Sequence, residues 1–278
     1  MASRETSRHP PQPLTLPRAR KHVERYLHPD KMTRQGGDNT LQQGWEEQAR
    51  NWVRWARQPG HDSYWRFHRD AFLSLVPSPG RLTLDIGCGE GRLARDLKAG
   101  GHRVMAIDAS PTLVAHAREA DPSMDVLLAD AARLPLPDQT ADLAVAFMSL
   151  QDMDDMLGAV HEAFRVLAAG SRFCLAVVHP LNSAGKFSSD APDAPFIIAD
   201  DYFARHTYSD AIEREGLPMT FHSQHRPLAG YFSALEQAGF LVEALREVTV
   251  GQGSLQDPRD PRWLRIPLFL HVRALKPA

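Results

Sequence analysis

From Arg81 onward, short runs rich in Val, Leu and Ile alternate with segments long enough to form amphipathic helices. Strands that alternate with helices usually pair in parallel, because each crossover helix packs back against the sheet. The alternation therefore predicts an α/β fold. The predicted strands are 81–86, 103–107, 125–129, 141–148, 171–178, 240–250 and 266–273, and the predicted helices are 91–99, 111–119, 153–167 and 227–238.

The first of these strands runs into a glycine-rich turn, Leu84-Asp85-Ile86-Gly87-Cys88-Gly89-Glu90-Gly91-Arg92. Glycines in such a turn accept positive φ and let the backbone approach a ligand that lies across the strand ends. The spacing is G-x-G-x-G, which differs from the G-x-G-x-x-G of nicotinamide dinucleotide sites. Asp85 would repel a pyrophosphate, whereas it suits a ligand that carries an ammonium group and a sulfonium.

Two further acids stand at the ends of the next two predicted strands. Asp108 ends the second strand, where a carboxylate can accept both hydroxyls of a ribose. Asp130 follows the third strand, where it can accept a hydrogen bond from an adenine amino group. Each acid alone is equally consistent with a helix cap. Together, in order around a glycine turn, the three carboxylates predict a pocket for a cationic adenosyl ligand.

These motifs resemble those of class I S-adenosylmethionine-dependent methyltransferases, of the small-molecule type 11 subgroup. The resemblance rests on LDIGCGEGR at 84–92, AIDAS at 106–110, LLADAARLPLPDQTAD at 127–142 and RVLAAGSRF at 165–173. It implies a Rossmann-like seven-stranded sheet whose last strand, 266–273, is antiparallel, and it implies S-adenosylmethionine as cofactor. The implied cofactor-binding residues are Asp85, Gly87, Cys88, Gly89, Asp108, Ala109, Ser110, Asp130, Ala131 and Met148.

Segments outside the predicted sheet divide the chain further. Residues 1–38 are basic and proline-rich, with eight Lys or Arg against three acids in 1–34, and are expected to form a disordered tail. Residues 39–79 are expected to form a helical lid, broken at Gln58-Pro59-Gly60. Residues 80–278 would form the methyltransferase domain. Within it, 180–226 lack periodicity and are predicted to be a substrate cap inserted after the fifth strand.

Four side chains are candidates for catalysis. His179 directly follows the fifth strand, His222 and His225 lie near the far end of the insertion, and Tyr64 lies in the lid. Methyl transfer requires the acceptor to be positioned and one proton to be removed. We expect His179, with Tyr64, to take an N–H or O–H proton from an electron-rich aromatic acceptor.

The acceptor is suggested by a second resemblance. The segments 179–183 (HPLNS) and 221–228 (FHSQHRPL) resemble a subgroup of actinobacterial small-molecule methyltransferases, with natural-product C-methyltransferases among its neighbours. This implies a small aromatic acceptor, C-methylation such as that of indole C3, and a place in secondary metabolism or antibiotic biosynthesis. The alternatives are O- or N-methylation of a small metabolite, a nicotinamide-dependent oxidoreductase and a non-catalytic cofactor-binding protein.

Composition and missing motifs argue against other classes. The net charge of -2, and FMSLQD at 147–152 where base-methylating relatives carry an Asn/Asp-Pro-Pro-aromatic element, disfavour a nucleic-acid partner. No apolar run approaches the roughly 20 residues of a membrane span. Cys88 and Cys174 are too few for a disulfide framework, so a cytoplasmic location is expected.

No bound metal is expected, because Asp152, Asp154 and Asp155 are predicted to begin the following helix. The oligomeric state stays open, with a homodimer as the candidate.

Overall fold

The computed structural model of the protein describes residues 32–34, 40–250 and 260–278. The predicted disordered tail, 1–38, lies outside the described residues except for Met32–Arg34, which form a short strand. The strands are β1 (Met32–Arg34), β2 (Thr83–Ile86), β3 (Val104–Asp108), β4 (Asp125–Leu128), β5 (Ala141–Phe147), β6 (Leu167–Val178), β7 (Lys186–Phe187), β8 (Phe196–Ile197), β9 (His206–Arg214), β10 (Leu217–His225), β11 (Leu241–Val248) and β12 (Phe269–Leu275). The α-helices are α1 (Leu41–Arg57), α2 (Arg69–Leu73), α3 (Arg92–Ala99), α4 (Pro111–Ala120), α5 (Met156–Val166), α6 (Pro180–Ala184) and α7 (Leu228–Ala238).

Seven of these strands form one sheet in the spatial order β11-β12-β6-β5-β2-β3-β4. Neighbouring strands from β6 to β4 pair in parallel. β12 is antiparallel to both of its neighbours. The Rossmann-like sheet with a reversed last strand is therefore confirmed. Because β2 lies between β3 and β5, the chain order changes direction at β2, and a crevice opens there at the carboxyl ends of the strands.

Alternating residues of the central strands enter two different cores. On β5, Ala144 and Ala146 pack in the core that contains α5 and α7. Leu143 and Val145 point to the opposite face and pack in the core that contains α3. A strand that is buried on both faces has no polar side, which is why these segments read as continuous apolar runs in the sequence.

The N-terminal helical segment divides where the sequence predicts. α1 starts with a capping box, in which the Thr40 hydroxyl accepts from the Gln43 amide and the Gln43 side chain accepts from the Thr40 amide. It ends just before Pro59, and the chain resumes as a π-helical turn, Tyr64–His68, that leads into α2. α1 packs against α4 and β10, so that it lies across the carboxyl ends of the sheet.

The insertion at 180–226 is more regular than the sequence indicates. Its main element is a hairpin of β9 and β10, joined by Glu215 and Gly216, which both have positive φ (50° and 77°). Positive φ at both turn residues matches the right-handed twist of the paired strands. β1 pairs with the outer edge of β9. The apolar and polar residues of these strands do not alternate regularly, because the hairpin face that borders the cavity carries both aromatic and polar side chains: Tyr208, Asp210, Phe221 and Ser223.

Glu90, in the glycine-rich turn, joins α1 to α3 through a buried ion cluster. Its side chain is 1% exposed. The carboxylate accepts hydrogen bonds from Arg95 Nη2 at 2.8 and 2.9 Å and from Arg57 Nε at 3.0 Å. Because Arg57 is in the last turn of α1 and Arg95 is on α3, this cluster fixes one end of α1 against the sheet domain.

We predict that Glu90→Gln lowers the free energy of unfolding by about 1–3 kcal/mol, because a neutral amide replaces a buried carboxylate that binds two guanidinium groups. Urea denaturation measures the change. The matched control is Glu119→Gln, since Glu119 is 71% exposed and pairs with His116 on the surface of α4. The control should change stability by less than about 0.5 kcal/mol. An effect of Glu90→Gln no larger than that of the control would contradict the prediction.

Candidate active site

A cavity of about 290 Å³ lies at the carboxyl ends of the central strands. Its floor is made by the residues that follow β2, β3, β4 and β5, and its roof by α1 and the β9–β10 hairpin. Trp263 closes one side. The cavity therefore lies at the crevice that the strand order creates, with helix and insertion excluding bulk water from above.

The glycine-rich turn brings the backbone up to the cavity floor. Gly87 has φ +74°, and a Cβ placed on it would lie 2.4 Å from the Ser149 Cβ. Gly89 has φ +59°, and its Cβ would lie 3.2 Å from the Trp52 indole nitrogen. Neither position tolerates a side chain without displacement of a neighbour. The two glycines thus provide a bare backbone surface between β5 and α1.

Asp85 places a buried carboxylate without a partner beside this turn. Its side chain is 1% exposed, and neither carboxylate oxygen has a partner at hydrogen-bonding geometry among the described residues. Burial, reinforced by the charge of Asp108 and opposed by the Ala94 backbone amide, raises the pKa of Asp85 to about 7. A buried carboxylate without a partner is costly, and a cation would compensate for that cost.

The other two predicted acids hold the neighbouring turns. Asp108 accepts hydrogen bonds from the backbone amides of Gly89 at 2.8 Å and Ser110 at 2.9 Å. Burial raises the pKa of Asp108, although these backbone hydrogen bonds oppose the rise. Asp130 accepts from the Ala132 amide at 2.9 Å and is exposed. Both carboxylates border the cavity and retain lone pairs for a ligand.

All ten residues that the motifs nominate for the cofactor border this one cavity: Asp85, Gly87, Cys88, Gly89, Asp108, Ala109, Ser110, Asp130, Ala131 and Met148. Their individual roles stay predictions. The arrangement has the three parts that an adenosyl ligand with an amino-acid tail requires. These parts are a buried unpaired carboxylate, an open backbone turn, and two further acids at successive strand ends.

Comparison with known proteins supports the same class. A family model described as a methyltransferase domain matches residues 84–175. A probable S-adenosylmethionine-dependent methyltransferase of Mycobacterium tuberculosis is 33% identical over 138 residues, which are 49% of this chain and 49% of that protein. A similarly described protein of Mycolicibacterium smegmatis is 34% identical over 195 residues, covering 69% of this chain and 65% of that protein. The crystal structure of a methyltransferase from Mesorhizobium loti is 25% identical, with a TM-score of 0.61 and coverage of 74% of this chain and 95% of that chain.

Over residues 84–175 the chain matches a methyltransferase-domain family, and its relatives and structural neighbours support a class I S-adenosylmethionine-dependent methyltransferase of the type 11 kind. The predicted family and its cofactor, S-adenosylmethionine, are thereby confirmed. The matched segment spans about half the length of the M. tuberculosis relative. The residues described above fit this cofactor, because the Asp85 carboxylate lacks the cation that its burial requires. Asp85 would hold the ammonium group, Asp108 the ribose and Asp130 the adenine.

His179 does not border the cavity, although Val178 and Asn182 on either side of it do, and its predicted catalytic role stays a prediction. Its Nδ1 accepts from the Leu181 amide at 3.1 Å and so caps the short helix α6. Its Nε2 lies 3.1 Å from the Glu247 carboxylate. Burial lowers the pKa of His179 despite that carboxylate, so the neutral ring donates from Nε2. Both ring nitrogens are thus engaged by residues of the fold.

Tyr64 and His225 are likewise away from the cavity. The Tyr64 hydroxyl donates to Asp96 at 2.6 Å, and burial raises the pKa of Tyr64, which disfavours proton removal. His225 has Nδ1 2.7 Å from the Ser183 hydroxyl and Nε2 2.8 Å from the Tyr202 carbonyl oxygen. Neither side chain borders the cavity. Their positions in the sequence suggested that they lie near the site, but in the structure their side chains form hydrogen bonds with neighbouring elements of the fold.

His222 is the fourth predicted catalytic residue that does not border the cavity. Its ring packs over Gly44, where a Cβ would approach the His222 Cγ to 2.8 Å. The Nδ1 lies 3.3 Å from the Ser209 hydroxyl, and the His222 carbonyl oxygen accepts from the Trp45 indole at 2.8 Å. The absence of a side chain at Gly44 lets α1 and β10 approach closely at this ring.

The acidic cluster after β5 was predicted to begin a helix, and only one of its members does so. Asp155 caps α5 by accepting from the Gly158 amide at 2.8 Å. Asp154 caps α1 instead, since its carboxylate oxygens accept from the amides of residues 41 and 42 at 2.9 and 3.2 Å. Asp152 is half-buried and borders the cavity. The sequence held no signal that distinguishes the three, because their partners are distant in the chain.

Other residues of the cavity wall were not identified from the sequence. They come from the lid (Gln42, Trp45, Trp52), from the turn after β5 (Gln151, Asp152), from the hairpin (Tyr208, Asp210, Phe221, Ser223) and from the segment before β12 (Trp263). Gln151 and Trp263 have buried polar atoms without a hydrogen-bond partner in the described part of the chain. These atoms are the Gln151 carbonyl oxygen Oε1 and the Trp263 indole nitrogen.

The two cysteines are free and buried. Burial raises the pKa of Cys88 and of Cys174, which favours the protonated thiol in both. Within residues 40–250 and 260–278, no group of three or more His, Cys, Asp or Glu side chains is arranged to hold a metal ion. None of the helices in these same ranges is both long and apolar enough to cross a bilayer.

We predict that Asp85→Asn weakens binding of S-adenosylhomocysteine about 10- to 100-fold, because the amide cannot neutralise an ammonium group. In the wild-type protein, a carboxyl group whose pKa is about 7 must lose its proton to bind the cation. Affinity should therefore rise with pH and reach a plateau above that value, with a slope of up to about tenfold per pH unit below it. Isothermal calorimetry between pH 5 and pH 8 measures both effects.

The variant should lack this pH dependence. The amino group of the ligand titrates equally with both proteins, so the difference between them isolates Asp85. Asp193→Asn, which changes the charge equally at an exposed position of the cap, is the matched control and should behave as wild type. Equal pH profiles for wild type and Asp85→Asn would refute the assignment.

We predict that His179→Ala lowers the free energy of unfolding by about 1–2 kcal/mol, because α6 loses its cap and Glu247 loses a donor. Methyl transfer by the folded variant should stay within about threefold of wild type, since the ring does not border the cavity and both of its nitrogens are engaged elsewhere. Thermal unfolding and single-turnover rates are the two measurements. A rate loss of about 100-fold at unchanged stability would restore His179 as a catalytic base.

Proposed function

We propose that this methyltransferase acts on a small aromatic acceptor, with attack by a ring carbon, such as indole C3, as the first candidate. The observation that carries the proposal is the continuity of the cavity. The buried Asp85 carboxylate and the aromatic side chains of α1 and the hairpin border the same space. A cofactor held at Asp85 would therefore share one compartment with whatever those rings bind.

The aromatic wall is an organised cluster. The rings of Trp45, Trp52 and Phe221 meet edge to face, with centroids 5.8 to 6.1 Å apart. Such mutual packing holds each ring in place before a ligand arrives. Phe147 and Trp263 border the cavity from the sheet side. Flat apolar walls on several sides favour a planar aromatic acceptor over a flexible polar one.

Charge around the cavity argues against a carboxylate acceptor. Arg92 is the cation among the described lining residues. Its guanidinium is paired with the buried Asp62 carboxylate and stacks on the rings of Trp52 and Tyr64. An anionic acceptor would face the carboxylates of the cavity with no cation available for it. Carboxylate O-methylation is therefore disfavoured, whereas neutral or cationic acceptors are compatible.

When bound, S-adenosylmethionine supplies a methyl group activated by a positively charged sulfur. The residues of this chain would bind and orient. Asp85 would fix the amino-acid end of the cofactor, and the glycine turn would allow close approach of the backbone. α1 and the hairpin would exclude water and hold the acceptor ring against the reacting methyl. Catalysis would depend mainly on this positioning.

The lid contacts support a role for α1 in closing the site. Glu46 accepts from the hydroxyls of Ser110 and Thr112, the latter at 2.5 Å, next to the turn that carries Asp108. At its N-terminus α1 is capped by Asp154, which follows β5. The helix is thus tied to the turn after β3 and to the turn after β5, on opposite sides of the cofactor site.

The test is incubation of the protein with methyl-labelled cofactor and a library of indoles, phenols and aromatic amines. We expect label in an aromatic product, and NMR of that product distinguishes C-, N- and O-methylation. Calorimetry with S-adenosylhomocysteine and with NAD separates the proposal from an oxidoreductase. Binding of S-adenosylhomocysteine without transfer to any aromatic compound would overturn the acceptor class, and absence of that binding would overturn the function itself.

A further inference from the structure

The proton that an acceptor loses needs a destination on the cavity wall. The predicted bases His179 and Tyr64 do not border the cavity. The segment Gln151–Asp152 does, and it lies beside the place where the cofactor's methionine end is expected. The Ser149 hydroxyl, just before it, donates to the Ile86 carbonyl oxygen at 2.7 Å, so this segment adjoins the glycine turn.

The backbone at the end of β5 is shaped to point this segment inward. Met148 has φ +56°, a value that non-glycine side chains adopt only under constraint. Its amide donates to the Ala176 carbonyl oxygen at 2.7 Å, which anchors the turn to β6. A short 3₁₀ helix, Leu150–Asp152, follows. The reversal turns the Gln151 and Asp152 side chains to the cavity and not along the sheet.

Asp152 is held in one orientation by two donors. The Ser223 hydroxyl donates to Oδ1 at 2.6 Å, and the Gln151 amide donates to Oδ2 at 3.2 Å. Arg226 lies close enough to act electrostatically, but it directs its guanidinium to the backbone carbonyl oxygens of Leu150, Gln151 and Met153. The carboxylate thus keeps lone pairs directed at the cavity, without a neutralising ion pair in the described residues.

Gln151 supplies the second, independent observation. Its side-chain nitrogen donates to the Met148 carbonyl oxygen at 2.7 Å and to Asp152, which fixes the orientation of the amide. The carbonyl oxygen Oε1 is left without a partner, although the residue is only 3% exposed. A buried oxygen that can accept a hydrogen bond and that borders a cavity requires a donor from the molecule that fills the cavity. An N–H group of the methyl acceptor meets that requirement.

We infer that Asp152 is the catalytic base of this site and that, with the Gln151 carbonyl oxygen, it selects acceptors that carry an N–H group conjugated to the attacking carbon. The inference rests on the proposed function. The N–H bond breaks, and its proton passes to an Asp152 carboxylate oxygen. The electron pair moves into the ring, the ring carbon bonds to the methyl carbon, and the carbon–sulfur electron pair returns to sulfur, which becomes a neutral thioether.

The surroundings of Asp152 agree with this role. Burial raises the pKa of Asp152, although Ser223, Arg226 and Gln151 oppose the rise. A carboxylate with a raised pKa binds a proton more strongly and is a better base than an exposed one. Tyr208 on β9 also borders the cavity, and burial together with the Asp152 charge raises its pKa, so it remains a neutral hydroxyl.

The experiment uses the full chain and two probes, 3-methylindole and its N-methylated form, 1,3-dimethylindole. Binding to the protein loaded with S-adenosylhomocysteine is measured by calorimetry. The wild-type protein should bind 3-methylindole about tenfold more tightly than 1,3-dimethylindole, because the second probe leaves the Gln151 oxygen without a donor. Gln151→Met should reduce this preference to about twofold or less, since the thioether is a weak acceptor.

Single-turnover transfer from labelled cofactor to 3-methylindole tests the base. Asp152→Asn, which keeps the shape of the side chain, should lower the rate about 100-fold or more, while affinity for S-adenosylhomocysteine stays within about threefold. Ser223→Ala should lower the rate about tenfold by loosening the carboxylate. Asp193→Asn, a matched charge change on the exposed part of the cap, should match wild type in both measurements.

The outcomes separate the two levels of the proposal. Four outcomes would overturn the inference while the proposed function stands. They are equal binding of the two indoles, no binding of either one, no label transfer to 3-methylindole, and an Asp152→Asn rate within threefold of wild type. Loss of S-adenosylhomocysteine binding by the wild-type protein overturns the proposed function instead. Circular dichroism of each variant establishes that a lost rate does not arise from unfolding.

Discussion

The burial of Asp85 without a partner is the constraint on which the rest of the structure depends. Removing a carboxylate from water costs free energy, and no described group compensates for it at hydrogen-bonding geometry. The apolar cores on both sides of the sheet must offset that cost. The same cost becomes binding energy when a cation arrives. A side chain that weakens the free protein is therefore what gives the site its preference for a positively charged ligand.

The roof of the site is built from contacts that serve folding and function together. Trp45 donates to the backbone of β10, and Glu46 and Asp154 join α1 to the turns after β3 and β5. Each contact is polar and bridges elements far apart in the sequence. These bonds, together with the aromatic packing of α1, hold the roof over the strand ends.

The strand order divides the cavity into two halves. β3 and β4 lie on one side of β2 and carry the acids assigned to ribose and adenine, whereas β5 and β6 lie on the other side and face the hairpin. Asp85 and the glycine turn stand between them. Gln151 and Asp152 follow β5 and border the same cavity as the glycine turn and the aromatic wall. Cofactor recognition and acceptor recognition can thus diverge independently, because different strands carry them.

The sequence alone predicted the parallel sheet and the glycine turn with its three acids, because these depend on local patterns: apolar runs, glycine spacing and an acid at each strand end. The reversed strand and the other residues predicted to bind the cofactor followed from the resemblance to the methyltransferase family, and all ten predicted residues border the cavity. The sequence did not determine which side chains border the acceptor part of the cavity, since none of the four predicted catalytic residues does so. His179 follows a central strand as expected, but its ring turns to cap α6. The sequence predicted that Asp152 begins a helix, but this side chain borders the cavity and accepts a hydrogen bond from Ser223. Ser223 lies 71 positions away in the sequence, so no local pattern could predict this contact. Which way a side chain points is decided by contacts between distant segments, and those contacts exist only in the tertiary structure.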